Sequence, residues 1–543
     1  MTGRPVLAAI RNNGLPRKER SYSSPSELVS ITTTTLGKVK QNILANLTGG
    51  SISALLSVLF APVYLRYLGV ELYGVIGFFS SIQAFLSLLD GGISPTLNRE
   101  TARLSALPGR FQELRDLSRT LEVLCWGSAL LACLIAFLVA PVVARHWLRS
   151  DTFEPQTISN ALMLMSISFA FQWAISFYTG GLLGLQAQKT LNTVTVVFAV
   201  VRSFGAWTIL ALISPTIVAF LLWQLAIAVL NCLVLAILFW RNLPAGIRKP
   251  SFDIQLLTQV WRYAAGMTGI GILSLILTQT DKVILSKLLS LEQFGYYSLA
   301  FTLAGVGIGL IVSSVQTAYF PQFSTLVAQR RFIELNEAYH RACQVMSFFL
   351  IPAVTVLSFF SYQVLTVWTG NEVLAEKTFI LLTLIAVGTG LLGLMHLPFY
   401  VQLAFGITRF AFWQNIVAIV VLIPLMIWST LRFGAVGGAC CWVVLNLGYT
   451  LIGLQYMHRL ILKGELSKWY LIDVGPPVIC SVVINCLAYV FFISVLPTGM
   501  PRLVTLTFIG TVFLITTAAT LGSLPAMRGL FLKTFFGTGG SVR

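Results

Sequence analysis

Long apolar segments follow one another along almost the whole chain and are separated by short polar segments. A helix that crosses a bilayer needs about 20 mostly apolar residues, and by that rule the pattern predicts roughly 14 spans. The predicted spans are 42–65, 72–97, 120–144, 157–183, 190–212, 215–240, 263–285, 295–319, 342–364, 378–401, 410–430, 435–456, 474–495 and 503–524. The separation of the last two is the least distinct, so about 12 or 13 spans is the alternative. The pattern therefore predicts an all-α integral membrane protein.

An internal repeat relates the first six predicted spans to the next six. The segment Arg110–Leu114 reads RFQEL, and Arg331–Leu335, which lies 221 residues later, reads RFIEL. At the same offset Glu71, Tyr73 and Gly74 match Glu292, Phe294 and Gly295. Because an even number of spans separates the copies, both copies point the same way across the membrane. Parallel repeats are related by an axis along the membrane normal, so we expect two six-helix lobes around a central cavity.

The repeat divides the chain into predicted regions. They are a disordered basic tail at 1–40, an N-terminal lobe at 41–240, a linker at 241–262, a C-terminal lobe at 263–457, two extra transmembrane helices at 458–525 and a tail at 526–543. The two RFxEL segments mix basic and apolar residues, a pattern typical of short helices at the cytoplasmic interface. Solvated connecting helices are the alternative.

Composition agrees with a lipid environment. Apolar residues make up 56% of the chain and charged residues only 10%, whereas a soluble domain carries roughly 25% charged residues. The net charge of +17 fits basic cytoplasmic loops rather than nucleic-acid binding. With the N-terminus inside, the inner segments hold about 27 Lys and Arg and the outer loops about 7, so both termini are predicted to be cytoplasmic.

Several classes of function are disfavoured. The 8 cysteines form no C-x-x-C pair, so neither a metal site nor a disulfide framework is indicated. The chain has no P-loop, and any uphill transport would use an ion gradient or a separate subunit. No paired carboxylates or nucleophile motif appear, and the predicted outer loops are too short for a catalytic domain. We therefore expect neither an enzyme nor a bound cofactor.

The chain resembles the polysaccharide-exporting branch of the multidrug/oligosaccharidyl-lipid/polysaccharide flippase superfamily. The residues that carry this resemblance extend over about 40–460 in the order and spacing typical of the family. They are Tyr67-Leu68-Gly69, Tyr73-Gly74, Asp90-Gly91-Gly92, Gly180 to Gln186, Thr280 to Leu285, Phe294 to Ser298, Phe320-Pro321, Val367 to Gly370, Gln402 to Gly406 and Phe433 to Ala439.

The resemblance implies a multi-pass transporter of the bacterial inner membrane. Such proteins flip undecaprenyl-diphosphate-linked oligosaccharides between leaflets, driven by an H⁺ or Na⁺ gradient and without ATP. It also implies that a polysaccharide polymerase and glycosyltransferases are functional partners. Many oligosaccharide flippases have 12 spans, whereas lipid II flippases and some exopolysaccharide exporters have 14, so the sub-branch stays open.

Arg202 is the predicted contact for the diphosphate of such a substrate. It lies near the middle of the span at 190–212, where an ionisable group costs roughly 2.5–3.5 kcal/mol. A buried diphosphate needs a cationic partner. The alternative is a structural arginine paired with a carboxylate or with backbone carbonyls.

Asp281 and Lys282 lie in the outer part of the span at 263–285. Adjacent helical residues point about 100° apart, so the two side chains are not expected to pair. A change in the protonation of Asp281 between two conformations would couple an ion gradient to flipping, with Lys282 as a substrate contact. Alternatively, Lys282 extends to the interface and Asp281 is a capping or paired group.

Other polar residues within the spans are weaker candidates. Asp90, beside Gly91 and Gly92, is predicted to form a gate with Arg99 or Arg103, or else to be a helix-end carboxylate at the water boundary. His396 is a candidate proton relay, although a hydrogen-bonded core histidine is commoner. The amides predicted to bind sugar hydroxyls, or else neighbouring helices, are Asn46, Gln279 and Gln402.

Three other functions compete with flipping. A multidrug or metabolite cation antiporter of the same superfamily would favour carboxylates in its cavity, whereas this chain places Arg202 at mid-depth. An integral-membrane glycosyltransferase or ligase would need larger outer loops. A non-transporting partner in an envelope assembly complex has no need for polar residues within the spans.

Overall fold

The computed structural model describes residues 25–86, 92–107, 109–258, 276, 279–406, 408–497 and 500–529. Within those ranges the side chains of 25–49, 84–86 and 408–411 are not described. The helices are α1 (Pro25–Leu86), α2 (Ile93–Ser105), α3 (Phe111–His146), α4 (Pro155–Gly184), α5 (Gln188–Leu212), α6 (Ile217–Asn242), α7 (279–288), α8 (Leu291–Ala328), α9 (Phe332–Phe359), α10 (Ser361–Thr369), α11 (Glu372–Ala404), α12 (Thr408–Gly448), α13 (Leu454–Leu460), α14 (Leu466–Val495) and α15 (Arg502–Ser523). Short π-helical turns join α12 to α13 at Tyr449–Gly453 and lie within α14 at Trp469–Val474.

The helices agree with the predicted spans. In the described part of the chain, 11 helices are long and apolar enough to cross a membrane. Two of these helices, α1 and α12, are interrupted by a glycine with non-helical dihedral angles, Gly69 with φ 80° and Gly434 with φ 60°. Each of the two helices corresponds to two predicted spans. The predicted span at 263–285 lies mostly outside the described residues, whereas the last two predicted spans are separate helices, α14 and α15. The all-α membrane fold is therefore confirmed.

At Gly434 the chain turns back on itself. Residues eight apart in a straight α-helix are separated by about 12 Å along the axis. Here the Ser429 hydroxyl donates a hydrogen bond of 3.1 Å to the Gly437 carbonyl, eight residues later. We call the segments before and after this turn the first arm (408–433) and the second arm (435–460).

The RFxEL segments are not separate interfacial helices, and that prediction was wrong. Each segment forms the first turn of a long helix, α3 or α9. Both use the same local bonds, because Arg110 pairs with Glu113 at 2.7 Å and Arg331 pairs with Glu334. Leu114 and Leu335 are fully buried, which ties each first turn to its lobe. Periodicity at the start of a helix cannot show how far that helix continues.

The two lobes, α1–α6 and α7–α13, meet along a seam that reproduces the sequence repeat. A Cβ placed on Gly74 would lie 2.5 Å from the Leu291 carbonyl, and a Cβ on Gly295 would lie 2.4 Å from the Val70 carbonyl. Gly74 and Gly295 are repeat equivalents, and so are Val70 and Leu291. Reciprocal contacts of this kind are those of a two-fold interface. The seam therefore lies on the pseudo-two-fold axis of the repeat.

The described hydrogen bonds between the lobes lie at or near one end of the helix bundle. We call it the contact end and define it by the loops 147–154, 289–290 and 370–371. The described bonds are Tyr73 Oη to Thr302 Oγ1 at 3.3 Å, Trp147 Nε1 to Ser286 Oγ at 3.1 Å, Leu291 N to Arg149 O at 2.7 Å, Trp368 Nε1 to Val58 O at 3.0 Å, and Lys287 Nζ to His146 O. The opposite end holds 106–110, 243–258 and 329–331, and none of the interlobe bonds between described residues lies there. The lobes are thus closed on each other at the contact end.

Candidate functional site

Each lobe contains a cavity whose lining includes polar side chains. The N-lobe cavity has a volume of about 240 Å³ and is lined by side chains of α4, α5 and α6, with Ser53 of α1. Arg202 is the single charged side chain among its described lining residues. A cation in a polar cavity favours an anionic ligand, because a guanidinium forms charge-assisted hydrogen bonds with carboxylate or phosphate oxygens.

The backbone of α5 and the ring of Trp223 position Arg202. Trp223 Nε1 donates a hydrogen bond of 3.2 Å to the Arg202 carbonyl. The ring approaches so closely because position 205 is glycine, where an added Cβ would lie 2.1 Å from the indole. The Arg202 side chain itself is exposed, and in the described part of the chain no carboxylate pairs with it. The alternative of a carboxylate-paired structural arginine is therefore not what the described residues show.

Neutral polar groups complete the N-lobe cavity. They include Gln172, Thr179, Thr195, Gln224 and Asn231. The buried Oδ1 of Asn231 has no hydrogen-bond partner, whereas Oε1 of Gln172 accepts a hydrogen bond from Gln83. The cavity thus offers one cation surrounded by amides and hydroxyls.

The C-lobe cavity occupies the equivalent place between α11 and the two arms. Its volume is about 220 Å³, and its lining includes His396, Gln402, Trp442, Asn446 and Tyr449. His396 is the repeat equivalent of Ile175, which lines the N-lobe cavity. The two cavities therefore have related positions but different chemistry.

Two predicted residues contribute to this second cavity. Gln402 is 5% exposed, and its Oε1 lacks a partner. The ring of His396 stacks on Tyr400 with centroids 6.3 Å apart, and the described residues show no hydrogen bond to it. Among the described residues, His396 thus lacks the hydrogen bond that the alternative interpretation expects.

Asp281 and Lys282 lie on α7, their described partners differ, and no described ion pair joins them. Asp281 is 3% exposed, and its Oδ2 accepts a hydrogen bond of 2.9 Å from Tyr297 while Oδ1 has no partner. The Lys282 ammonium lies 4.1 Å from the centroid of the Phe301 ring and 3.4 Å from Gln279 Oε1. None of these predicted residues lines either of the two cavities.

Two predicted residues cannot be placed. Asp90 and the side chain of Asn46 lie outside the described residues. Arg99 and Arg103, the predicted partners of Asp90, both form ion pairs with Glu100, at 3.4 Å and 2.6 Å.

Sequence reasoning missed a buried carboxylate in the N lobe. Glu122 on α3 is buried and accepts hydrogen bonds from Tyr178 at 2.6 Å, Trp240 at 3.0 Å and Arg119 at 2.6 Å. These donors tie α3 to α4 and α6. An acidic residue within the predicted span at 120–144 was the available signal.

A second missed carboxylate, Asp116, holds the linker against α3. Its Oδ1 accepts hydrogen bonds from the Ser251 amide at 2.8 Å and from Gln112 at 3.0 Å, and its Oδ2 pairs with Arg248 at 2.9 Å. Arg115 donates a hydrogen bond of 3.2 Å to the Pro244 carbonyl.

A third missed cluster joins α9 to α14. His340 contacts Asp473 at 2.5 Å through Nδ1 and Glu465 at 3.0 Å through Nε2, and Gln344 donates to the same aspartate at 2.9 Å. A carboxylate at each ring nitrogen requires both nitrogens to donate, so this arrangement holds a protonated imidazole. The hydrogen bond from Lys468 is the main reason that the pKa of Glu465 lies below its usual value.

Comparison with known proteins identifies relatives along most of the chain. The family model described as "Polysaccharide biosynthesis protein" matches residues 39–327, which is more than half of the chain. A Shigella flexneri protein whose name describes an O-antigen transporter is 21% identical over 437 residues, covering 79% of this chain and 96% of the relative.

Solved structures show the same fold. The lipid II flippase MurJ in an inward closed conformation aligns with a TM-score of 0.66 and 16% identity, covering 90% of this chain and 99% of that one. An inward-facing multidrug resistance MATE family transporter of the MOP superfamily aligns with a TM-score of 0.62 and 13% identity, covering 78% and 94% of the two chains. The alignments confirm the all-α membrane fold predicted from the sequence.

Proposed function

The chain belongs to the family of polysaccharide biosynthesis proteins, and on that premise we propose that it flips an anionic lipid-linked oligosaccharide across the bacterial inner membrane. The family match and the shared fold support the coarser statement, a membrane transporter of polysaccharide biosynthesis in the MOP superfamily. The substrate class we propose is an undecaprenyl-diphosphate-linked repeat unit. A glycosyltransferase would supply it and a polymerase would consume it.

The polarity of the N-lobe cavity carries this proposal. Arg202 is the one charged group among the described lining residues, and no carboxylate accompanies it. A cavity with a single guanidinium and several amides suits a diphosphate, because arginine binds phosphate oxygens through two parallel hydrogen bonds. An exporter of organic cations would require the opposite charge, so the antiporter is the less suitable alternative. The proposal involves no chemical step and hence no enzymatic activity.

Substrate contacts outside that cavity are also proposed. Gln402 in the C-lobe cavity and the pair of Gln279 and Lys282 on α7 present amide and ammonium groups to the polar part of the glycan. Asn46 on α1 is a further proposed contact.

We assign the contact end of the bundle to the periplasmic side. The concentration of basic residues in segments at the opposite end supports a cytoplasmic location for that end and for both termini. On this assignment the described interlobe contacts close the lobes toward the periplasm. Flipping then requires the seam at Gly74 and Gly295 to open.

Asp281 is the proposed coupling group. A buried carboxyl with one oxygen unpartnered is stable when protonated, or when a cation neutralises it. Binding H⁺ or Na⁺ in one conformation and releasing it in the other would drive the cycle. His396, which lines the C-lobe cavity without a hydrogen bond to a described residue, and Asp90 are the other proposed coupling or gating groups.

The test is to deplete the protein in its native cell and quantify undecaprenyl-linked glycans in each leaflet with a membrane-impermeant probe. Accumulation of a complete repeat unit in the inner leaflet supports the proposal. Loss of the lipid-linked glycan itself would indicate an enzyme of its synthesis. An unchanged lipid pool with altered drug sensitivity would indicate a cation antiporter instead.

A further inference from the structure

The linker after α6 is bound along one face of α3. Its backbone amides donate hydrogen bonds to three polar side chains of α3 that lie one turn apart: Arg248 N to Gln112 Oε1 at 3.0 Å, Ser251 N to Asp116 Oδ1 at 2.8 Å, and Asp253 N to Thr120 Oγ1 at 2.9 Å. Between its first and last bond the linker therefore follows α3 for about two turns in the direction of the membrane span.

The exposed surface of α3 changes from charged to apolar within one turn. The side chain of Arg119 is 49% exposed, and the next exposed residues include Val123, Leu130 and Leu134. The edge of the hydrocarbon region therefore lies next to Val123. Because an α-helix rises about 1.5 Å per residue, Thr120 lies about 5 Å from Val123 along the axis, and the headgroup region of one leaflet is about 5–8 Å thick. Thr120 thus lies at the level of the lipid headgroups.

Two apolar side chains of the linker lie at this same level and are not covered by the protein. Phe252 and Ile254 flank Asp253, whose amide is bound to Thr120, and they are 49% and 62% exposed. Asp253 is the one acidic residue of segment 243–258, and its carboxylate accepts a hydrogen bond of 2.8 Å from the Gln255 amide. The linker thus presents apolar side chains at the depth where water gives way to lipid.

Basic side chains accompany them. Trp240 Nε1 donates a hydrogen bond of 3.0 Å to Glu122 Oε1, so the end of α6 is level with the hydrocarbon edge. A tryptophan at this depth is typical of a membrane–water interface. Arg241, the next residue, and Lys249 in the linker are both exposed, and neither forms an ion pair within the described part of the chain.

From this placement we propose that segment 241–258 is a membrane-binding surface whose partner is a leaflet of anionic phospholipid. Phe252 and Ile254 enter the headgroup region, and Arg241 and Lys249 bind the lipid phosphates. Apolar side chains beside basic ones are the combination by which interfacial segments bind anionic membranes. The surface is formed in advance, because the bonds to α3 fix its depth. This inference goes beyond the proposed function, since it holds whatever molecule is transported.

The test uses the full-length protein in nanodiscs of equal parts phosphatidylglycerol and phosphatidylcholine. The exposed Cys440 and Cys486 are replaced by serine, and a bimane fluorophore is attached to Ile254→Cys or to Ala245→Cys. Ala245 is exposed and precedes Gly246, where an added Cβ would lie 2.5 Å from Gln112 Oε1. The quenchers are aqueous iodide and either lipid with a spin label near the headgroup end of one acyl chain.

The two labels should respond in opposite ways. Both spin-labelled lipids should quench the label at Ile254, whereas iodide should quench the label at Ala245, because Gln112 and Thr120 differ in depth by about 12 Å. Phosphatidylglycerol should also associate near Ile254 at least about fivefold more strongly than phosphatidylcholine, which is the preference expected from a single basic side chain at an anionic surface.

Charge variants locate the lipid contact. Arg241→Gln combined with Lys249→Gln should bring the ratio of the two lipid association constants at Ile254 close to one. Arg145→Gln combined with Arg149→Gln is the matched control, because it removes the same charge from exposed positions at the contact end and should leave the ratio unchanged.

Each of the opposite results overturns the proposal. Iodide quenching at Ile254 as strong as that at Ala245 would show that the surface lies in water and is open to a soluble partner instead. A preference for phosphatidylglycerol that is absent, or that survives in Arg241→Gln with Lys249→Gln, would exclude the phosphate contacts. Loss of the preference on addition of inorganic phosphate at constant ionic strength would assign the basic residues to free phosphate. None of these readouts depends on transport, so the proposed function is tested separately.

Discussion

A methyl group at Gly74 should open the contact end of the transporter. In the closed seam the Cβ of Gly74→Ala would lie 2.5 Å from the Leu291 carbonyl and 3.2 Å from the Gly295 amide nitrogen. Both are backbone atoms, so relief requires the helices to separate. Overpacking of this kind costs about 1–3 kcal/mol, and the cost disappears once the seam is open. The ratio of open to closed molecules should therefore rise about 5- to 150-fold.

Pulsed electron spin resonance between labels on the two lobes measures this ratio. Suitable sites are Asp151→Cys in the α3–α4 loop and Glu376→Cys on α11, both exposed, in a background where the exposed Cys440 and Cys486 are replaced by serine. The longer of two distance populations should grow in Gly74→Ala and in Gly295→Ala. Gly307→Ala is the matched control, because its Cβ on the same α8 helix meets nothing within 4 Å. Distances in Gly74→Ala identical to those of the unmodified protein would refute the assignment of this seam as the moving interface.

Three further predictions follow from the site residues. Arg202→Ala should abolish accumulation of glycan in the outer leaflet at a normal protein level. Arg202→Lys should retain part of this accumulation, because a lysine keeps the charge but not the paired hydrogen bonds. Normal export by Arg202→Ala would exclude the diphosphate contact. Asp281→Asn should make the rate of flipping in vesicles independent of the H⁺ and Na⁺ gradients. If the unmodified protein transports at an unchanged rate after both gradients are collapsed, Asp281 has no coupling role. His340→Ala should lower the melting temperature in detergent by an amount equivalent to about 1–3 kcal/mol, because it leaves the buried Asp473 with Gln344 but without its ion-pair partner. Arg331→Ala, at an exposed ion pair, should change the stability by less than about 1 kcal/mol, and equal effects of the two variants would show that the cluster does not hold α14.

Apolar segment length was sufficient to predict the architecture. In a bilayer every span must satisfy its own backbone hydrogen bonds, which requires a long apolar helix. The number and order of the spans can therefore be predicted from the sequence without knowing their contacts. The repeat carried more information, because the matched Gly74 and Gly295 proved to be the contacting pair on the axis. The role of Arg202 as a diphosphate contact stays a prediction, although its location in a polar cavity is consistent with it.

Contacts between distant residues were not predictable. Glu122 and Tyr178 are 56 residues apart, and His340 and Asp473 are 133 apart. Their partnership depends on how α3 packs against α4 and how α9 packs against α14, which no local pattern specifies. Kinks were missed for a related reason, since the glycines at 69 and 434 are among many glycines in the spans. The unpartnered oxygen of Gln402 likewise depends on which neighbours surround it in the folded chain.

The attachment of the linker to α3 has a mechanical consequence. Asp116 holds the chain at Arg248 and Ser251, and Thr120 accepts a hydrogen bond of 2.9 Å from the Asp253 amide. The covalent connection between the lobes therefore leaves the N lobe at about residue 253, not at the end of α6. A pull on that connection would act first on the Asp116 and Thr120 attachments of α3, next to Glu122 and its hydrogen-bond donors on α4 and α6. A movement of one lobe would thereby reach the interior of the other through α3 and not through the end of α6.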